Sequence, residues 1–153
     1  MTIDWSQQRY WEDVAEGDEL PSVDFPLTVY RLVVTAGSNR DFNAIHHNSE
    51  FARASGAPEM YANTTMLLGM WERAVREYIG LRGRFVGIKG FRMSSFNVVG
   101  ETVTVRGHVA GKREDSPLGL VDLEVWSEHD GELTAASVSV GPGIVTVSLP
   151  RRG

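Results

Sequence analysis

An acidic and an imidazole side chain stand five residues apart in the segment Arg40–His47, which reads RDFNAIHH. If the chain turns between them, Asp41 and His46 can converge and hold one water molecule. One group then accepts a proton while the other donates one near neutral pH, which is what the addition of water to an enoyl thioester requires. The spacing by itself is weak evidence, because an Asp that caps a short helix and a His packed in a turn give the same pattern.

That reaction also needs hydrogen-bond donors for the negative charge that develops on the thioester carbonyl oxygen. The N-terminus of a buried helix supplies free N–H groups and a favourable dipole. The clearest helix of the sequence covers residues 62–79, where apolar side chains recur at helical spacing and Asn63 or Thr64 can cap the start. Tyr61 and Asn63 either line a pocket at this end or serve only in packing and capping.

The middle of this helix, MLLGMW from Met66 onward, is apolar on all sides, so we expect protein to surround it. Gly69 lowers the stability of the helix, and a sheet that approaches the helix closely at this point would explain the glycine. Met66 and Met70, like Met60 and Met93, could line a flexible acyl tunnel, although core packing is the simpler interpretation.

Residues 27–37 fit two kinds of secondary structure. The run from Leu27 to Val34 is rich in β-branched residues, which favours a strand. Apolar side chains at helical spacing favour a helix, for which Thr28 could be the N-cap. Propensity alone favours the strand.

After Gly80 the apolar period changes to two, which indicates several long antiparallel strands. Asp130-Gly131 is a strong hairpin signal, Gly100-Glu101 marks another turn, and the last strand is expected from Thr134 to Val147. One buried helix followed by these strands predicts an α+β fold in which the helix lies on a sheet. Such a sheet leaves one face to cover, and pairing two copies is a natural solution.

The bulk composition excludes several classes of protein. With an ordinary apolar content, residues 1–153 are expected to form a single domain. The net charge of −5 and the lack of a dense Lys/Arg run argue against a nucleic-acid binder. The absence of cysteine excludes disulfides and thiolate chemistry, and the pair His46-His47 has no third ligand at convincing spacing for a metal.

The first segment, residues 1–26, is polar but carries four aromatic residues, Trp5, Tyr10, Trp11 and Phe25. We expect an arm packed on the domain, since exposed aromatics are normally buried somewhere; a partly ordered tail is the alternative. No secretory signal and no apolar run of about 20 residues is visible. A cytoplasmic protein that does not span a membrane is therefore expected.

The segment Asp41–His46, DFNAIH, resembles the D-x-N-P-[IL]-H motif of the MaoC-like (R)-specific enoyl-CoA hydratase and dehydratase family. Three further stretches are similar to that family: its N-terminal segment at Tyr10–Pro21, its short helix after the motif at Ser49–Ala52, and its P-V-x-x-G-D strand start at Phe96–Val105. The resemblance implies a hot-dog fold, in which an antiparallel β-sheet wraps around one long central helix. It also implies a helix, not a strand, for residues 29–38.

The same resemblance implies an activity, the reversible addition of water to a trans-2-enoyl-CoA, which gives (R)-3-hydroxyacyl-CoA. Asp41 and His46 would jointly hold the water, and the substrate is a coenzyme A thioester with no further cofactor. A backbone N–H at the helix start would be the oxyanion donor, at Ala62 with Asn63 beside it. Asn43 is expected to tie the turn through side-chain-to-backbone bonds, and contact with the water is the alternative.

The motif departs from the family pattern at several positions. Arg40 stands where glycine is usual, Ala44 and Phe96 replace prolines, and His47 follows the motif. The variant RDFxxxHH is similar to a subgroup of dehydratases that act on bulky acyl-CoAs, including steroid side chains. Some of that subgroup work with a second hot-dog protein, so a homodimer or a heteromer with another hot-dog subunit is expected. Two alternatives remain: a hot-dog acyl-CoA thioesterase, and one subunit of a heteromeric dehydratase that is inactive alone.

Overall fold

The computed structural model describes residues 6–115, 118–132 and 138–152. Within these residues the chain forms a five-stranded antiparallel sheet, in the order β1-β3-β4-β5-β2, and three α-helices. The strands are β1 (Val23–Pro26), β2 (Arg84–Lys89), β3 (Thr102–Asp115), β4 (Leu118–His129) and β5 (Val138–Leu149). The helices are α1 (Val29–Ser38), α2 (Ser49–Ala54) and α3 (Thr64–Ile79), with 3-10 turns at Trp11–Asp13 and Ala44–His46. No helix in the described ranges is long and apolar enough to cross a membrane.

The long helix α3 is the centre of the hydrophobic core. It begins after its N-cap Asn63, ends at Gly80, and packs against the valine-rich inner face of the sheet. Its buried side chains are Leu67, Met70, Trp71, Ala74, Val75, Tyr78 and Ile79. The Trp71 indole donates its N–H to Ser127 Oγ of β4 at 2.8 Å, so its polar atom is satisfied inside the core. The predicted hot-dog arrangement, a sheet wrapped around one long helix, is confirmed.

Residues 29–38 form helix α1, as the family resemblance implied, and the strand favoured by composition is wrong. Thr28 Oγ1 accepts the N–H of Arg31 at 3.2 Å, which caps the first turn. Leu32 and Ala36 are buried on one face of the helix. The helical stripe outweighs the β-preference of the valines, because propensity is a weak prior once a helix face can be buried.

The glycine in the middle of α3 does not meet a neighbouring sheet. A Cβ added at Gly69 would have no heavy atom within 4 Å, and Leu68 beside it is 37% exposed. The expectation that a sheet approaches closely here is wrong. The described residues do not cover this face of the helix, so the expectation that protein surrounds it stays a prediction. The sheet packs on the other side of α3, where Met70 and Trp71 are buried.

The predicted turns lie at the ends of strands. Gly100 has φ +93°, a conformation that favours glycine, and β3 begins two residues later. Asp130-Gly131 follows β4, the antiparallel neighbour of β5. Residues 134–137 of the expected last strand lie outside the described residues.

The N-terminal segment lies along the sheet and contributes strand β1 to it. Val23–Pro26 pairs with β3 as an edge strand. The Trp11 indole donates to the carbonyl of Leu120 at 3.3 Å and covers Gly119, where a Cβ would lie 2.4 Å from the ring. The ammonium of Lys112 stands 4.0 Å from the centre of the same ring. Trp5, the first of the four aromatics, lies outside the described residues.

Candidate active site

The structure brings the two candidate acid–base groups together. His46 Nε2 lies 3.2 Å from Asp41 Oδ2. Helix α1 has its C-cap at Asn39, and Arg40 then takes a left-handed conformation with φ +56°. The N–H of Asp41 returns to the carbonyl of Ala36 at 2.9 Å. The 3-10 turn that follows carries the imidazole back to the carboxylate.

A backbone carbonyl fixes the orientation of the imidazole. His46 Nδ1 lies 2.8 Å from the carbonyl oxygen of Tyr61. Because a carbonyl can only accept, Nδ1 carries a proton, and Nε2 is the nitrogen that faces Asp41. The ring of Tyr61 packs edge-on against the imidazole at 5.2 Å between centroids, and the His46 side chain is only 8% exposed. The imidazole is thus held with Nε2 available for proton exchange.

Asn63 connects the acid–base pair with the start of α3. Its Oδ1 accepts the N–H of Met66 at 2.8 Å and caps the helix. Its Nδ2 donates to Asp41 Oδ2 at 3.1 Å, the oxygen that also faces His46. Asn39 donates to the same Oδ1 at 3.3 Å, which fixes the orientation of the amide. Sequence reasoning missed Asn39; its position at a helix C-terminus, where Asn is common, was the available signal.

Ala62 does not offer the oxyanion donor that the resemblance implied. Its N–H donates to the carbonyl of Asn97 at 2.9 Å, and the residue is fully buried. The reason is a long-range pairing of this segment with residues 97–99, which the sequence analysis did not predict. The N–H groups of Thr64 and Thr65, in the first turn of α3, have no intrahelical acceptor, and both residues are exposed. These N–H groups replace Ala62 as the candidate donors.

Tyr61 stands between the acid–base pair and Phe96. Its ring lies 4.8 Å from that of Phe96, and the residue is partly buried. Burial, with a smaller contribution from the Asp41 charge, raises the pKa of the Tyr61 phenol. The phenol therefore keeps its proton and remains a hydrogen-bond donor at neutral pH.

Asn43 and His47 are exposed residues of the turn itself. Asn43 Oδ1 accepts the N–H of Ile45 at 3.2 Å and caps the 3-10 turn, which is the turn-tying role expected of it. His47 Nε2 lies 3.4 Å from the carbonyl of Phe42. Among the residues that the structure describes, no three His, Asp or Glu side chains are grouped so that they could hold a metal ion.

An open groove of about 520 Å³ runs between α1 and α3 and starts at Asn39, which contacts Asn63. Its lining combines apolar, hydroxyl and amide side chains with Gly69 and three charged residues: Phe25, Arg31, Thr35, Asn39, Thr65, Met66, Gly69, Met70, Glu72 and Arg73. Two of the four methionines considered for an acyl tunnel therefore line a real depression. The Asp41 side chain does not line the groove itself and is 38% exposed.

Comparison with curated proteins identifies one relative with a named activity. The 3-oxo-4,17-pregnadiene-20-carboxyl-CoA hydratase beta subunit of Mycobacterium tuberculosis is 27% identical over 110 residues, which are 71% of this chain and 81% of that protein. No family model matches the chain.

Solved structures share the fold over most of the chain. The ChsH1-ChsH2 complex from Mycobacterium tuberculosis matches with a TM-score of 0.77 and 24% identity, over 88% of this chain and 98% of the matched one. The (R)-hydratase from A. caviae involved in PHA biosynthesis matches with a TM-score of 0.79 and 19% identity, over 91% and 99%. A MaoC-like dehydratase matches with a TM-score of 0.77 and 23% identity, over 97% of this chain and 45% of its own. The predicted resemblance is confirmed in the fold, whereas the RDFxxxHH subgroup stays a prediction.

Proposed function

We propose that this chain, a MaoC-like hot-dog protein, adds water reversibly to a trans-2-enoyl-CoA and forms (R)-3-hydroxyacyl-CoA. One observation carries the proposal: Asp41 Oδ2 and His46 Nε2 lie 3.2 Å apart beside the N-terminal end of α3. A relative named as a hydratase subunit and a similar structure named as an (R)-hydratase support the reaction class.

A water molecule bound by Asp41 and His46 can exchange protons with both groups. As its oxygen bonds to C3 of the enoyl thioester, one of its protons passes to the pair, and the pair supplies a proton to C2. The two groups are in direct contact, so the acid and base roles are assigned to the pair and not to either residue. The electrons of the double bond move towards the thioester carbonyl oxygen, where the N–H groups of Thr64 and Thr65 and the dipole of α3 stabilise the charge.

The acyl group in this proposal occupies the groove between α1 and α3. Met66 and Met70 line this groove, and methionine side chains adapt to irregular apolar shapes. The Mycobacterium tuberculosis relative is named for a bulky polycyclic substrate, 3-oxo-4,17-pregnadiene-20-carboxyl-CoA. A bulky acyl-CoA is therefore the substrate class that we favour.

A second hot-dog subunit covers the exposed face of α3 in the same proposal. Gly69 costs the helix about 1 kcal/mol relative to alanine, yet nothing in the described chain lies within 4 Å of a Cβ placed there. Gly69 also lines the groove proposed for the acyl group, and a partner helix that packs against the glycine would close this groove from its open side. The edge strand β2 also has one side without a neighbouring strand in the described sheet. The partner is a second copy or a different hot-dog protein, for which the ChsH1-ChsH2 complex is a precedent.

The test is hydration of a panel of trans-2-enoyl-CoA thioesters, from short chains to a steroid side chain. Loss of the enoyl-thioester absorbance, the chirality of the product and the release of free thiol are measured together. Formation of (R)-3-hydroxyacyl-CoA supports the proposal, whereas thiol release without hydration indicates a thioesterase. A folded protein that is inert on every member contradicts the activity of the lone chain, and sedimentation equilibrium against the 16.9 kDa monomer mass then shows whether it lacks a partner.

A further inference from the structure

A carboxylate outside the acid–base pair is buried just before β3. Glu101 is 7% exposed, and its Oε2 accepts the N–H of Val98 at 3.1 Å. Its Oε1 has no hydrogen-bond partner among the described residues. Burial of a carboxylate with one oxygen left without a partner is costly, so its presence calls for a role that offsets the cost.

The last residue of β4 and the turn after it enclose this carboxylate. His129 Nδ1 lies 3.7 Å from Glu101 Oε2 and accepts the N–H of Gly131 at 3.2 Å. A Cβ on Gly131 would lie 1.7 Å from Oε1, so a larger residue there would displace the carboxylate. The Glu101 side chain is therefore confined next to Val98.

Residues 97–99, which Glu101 holds through Val98, carry the segment that fixes the imidazole. Three backbone contacts join them to residues 60–62: the bridge between Val98 and Tyr61, the bond from Val99 N–H to Met60 at 3.0 Å, and the bond from Ala62 N–H to Asn97 at 2.9 Å. The carbonyl of Tyr61 then receives the Nδ1–H of His46 at 2.8 Å. An unbroken series of hydrogen bonds and backbone pairing thus runs from Glu101 to the imidazole.

We propose that Glu101 is a positioning residue for the Asp41–His46 pair. Its Oε2 accepts the N–H of Val98 and so fixes residues 97–99. These residues pair with Tyr61, and the Tyr61 carbonyl accepts the Nδ1–H of His46, which fixes the tautomer and the orientation of the imidazole. In this role Glu101 supplies a hydrogen-bond acceptor for the Val98 N–H, and a neutral acceptor at the same position would serve equally well. The effect of a Glu101 substitution on the hydration rate rests on the proposed function, whereas its effect on the hydrogen bond of the His46 Nδ1–H does not.

The test compares Glu101→Gln, which keeps the side-chain length and an acceptor, with Glu101→Met, which keeps the volume and removes the acceptor. Nitrogen-15 NMR of the histidine rings reports the His46 Nδ1–H, and a His46→Gln sample assigns its signal. Glu101→Gln is expected to keep the wild-type signal and hydration rate. Glu101→Met is expected to lose or shift the signal and to lower kcat about tenfold or more at little change in KM, because a small misplacement of a reacting group is costly.

Ser127→Ala is the matched control, since it removes the acceptor of the buried Trp71 N–H and keeps the Ser127 carbonyl, which accepts the same Ser139 hydroxyl as Asn97 Oδ1. A wild-type His46 signal in folded Glu101→Met would overturn the proposal, and so would an equal loss of the signal in Ser127→Ala. If Glu101→Met does not fold, Glu101→Asp keeps the charge but withdraws the acceptor, and a wild-type signal in that variant would equally overturn it. If only the proposed function fails, the wild type hydrates no substrate, but the His46 Nδ1–H signals of Glu101→Gln and Glu101→Met still differ.

Discussion

Asn63 donates its side-chain N–H to the Asp41 oxygen that also faces the imidazole of His46, with distances of 3.1 Å and 3.2 Å at that oxygen. The other end of the same amide caps α3 through the N–H of Met66. One side chain therefore ties the acid–base pair to the helix start where the candidate oxyanion donors lie. A displacement of the helix start would move both parts of the site together.

Replacing Asn63 by Asp separates these two roles. Asp is as good an N-cap as Asn, so α3 should keep its first turn, but a carboxylate oxygen then faces Asp41 in place of an N–H donor. We expect the hydration rate to fall about tenfold or more, because the buried carboxylate at position 63 replaces the N–H donor and repels Asp41. The melting temperature is expected to fall as well, and Asn63→Ala measures the part that is due to the cap, about 1 kcal/mol. Asn48→Asp, at the N-cap of α2, is the control. Equal hydration rates in the two Asp variants would contradict a role for the Asn63 N–H.

Arg40 adopts a left-handed backbone conformation, with φ +56°, on the exposed turn before Asp41. This conformation costs an ordinary L-residue roughly 1 kcal/mol or more, and glycine avoids the cost. Arg40→Gly is expected to raise the free energy of unfolding, measured by urea denaturation, by up to about 1 kcal/mol. The same change at the exposed Arg92, whose φ is not positive, should lower it. A loss of stability at position 40 would show that the guanidinium holds the turn through contacts of its own.

Assembly is expected to depend on Gly69 and not on Gly37. Both glycines are exposed on helices, and a Cβ at either position would have no heavy atom within 4 Å. Gly69→Leu should lower the mass in sedimentation equilibrium towards the 16.9 kDa monomer, because a bulky side chain blocks the approach of a partner helix. Gly37→Leu should leave the mass unchanged. If both variants assemble like the wild type, this face of α3 is not an interface.

Glu59 links the stability of the fold to acid pH. Hydrogen bonds from Ser49 and from the N–H of Met60, together with Arg53, lower the pKa of its carboxyl. A folded-state pKa below the unfolded value stabilises the fold above the unfolded pKa, and this contribution is lost as the pH falls through the folded pKa. In Glu59→Gln the free energy of unfolding should therefore fall less than in wild type between about pH 6 and about pH 3. The same fall in both proteins would show that these bonds do not hold the carboxylate.

The helices differ in how well local sequence predicts them. Helix α3 follows from its apolar period, and its cap at Asn63 follows from the residue type. Composition misleads for α1, because several of its β-branched residues are exposed and only Leu32 and Ala36 define the buried face. Family resemblance was needed to choose the helix.

The candidate site could be predicted only as far as a local motif extends. Asp41 and His46 are close in sequence, so one turn is enough to bring them together. The N–H of Ala62 is occupied by Asn97, which is far along the chain, and no local pattern indicates that pairing. For Gly69 the sequence predicts a sheet of the same chain packed close to the helix. No heavy atom of the described chain lies within 4 Å of a Cβ placed there, so this chain alone does not explain the glycine.

The most direct test of the acid–base assignment compares Asp41→Asn and His46→Gln with His47→Gln on the substrate that the wild type hydrates fastest. His47 is the matched control, because it is an exposed neighbour that contacts the carbonyl of Phe42 and not Asp41. With circular dichroism showing that each variant is folded, the first two are expected to lower kcat about a hundredfold or more, and His47→Gln less than about twofold. A folded Asp41→Asn or His46→Gln variant that hydrates at the rate of His47→Gln would contradict the assignment of the pair as the catalytic groups.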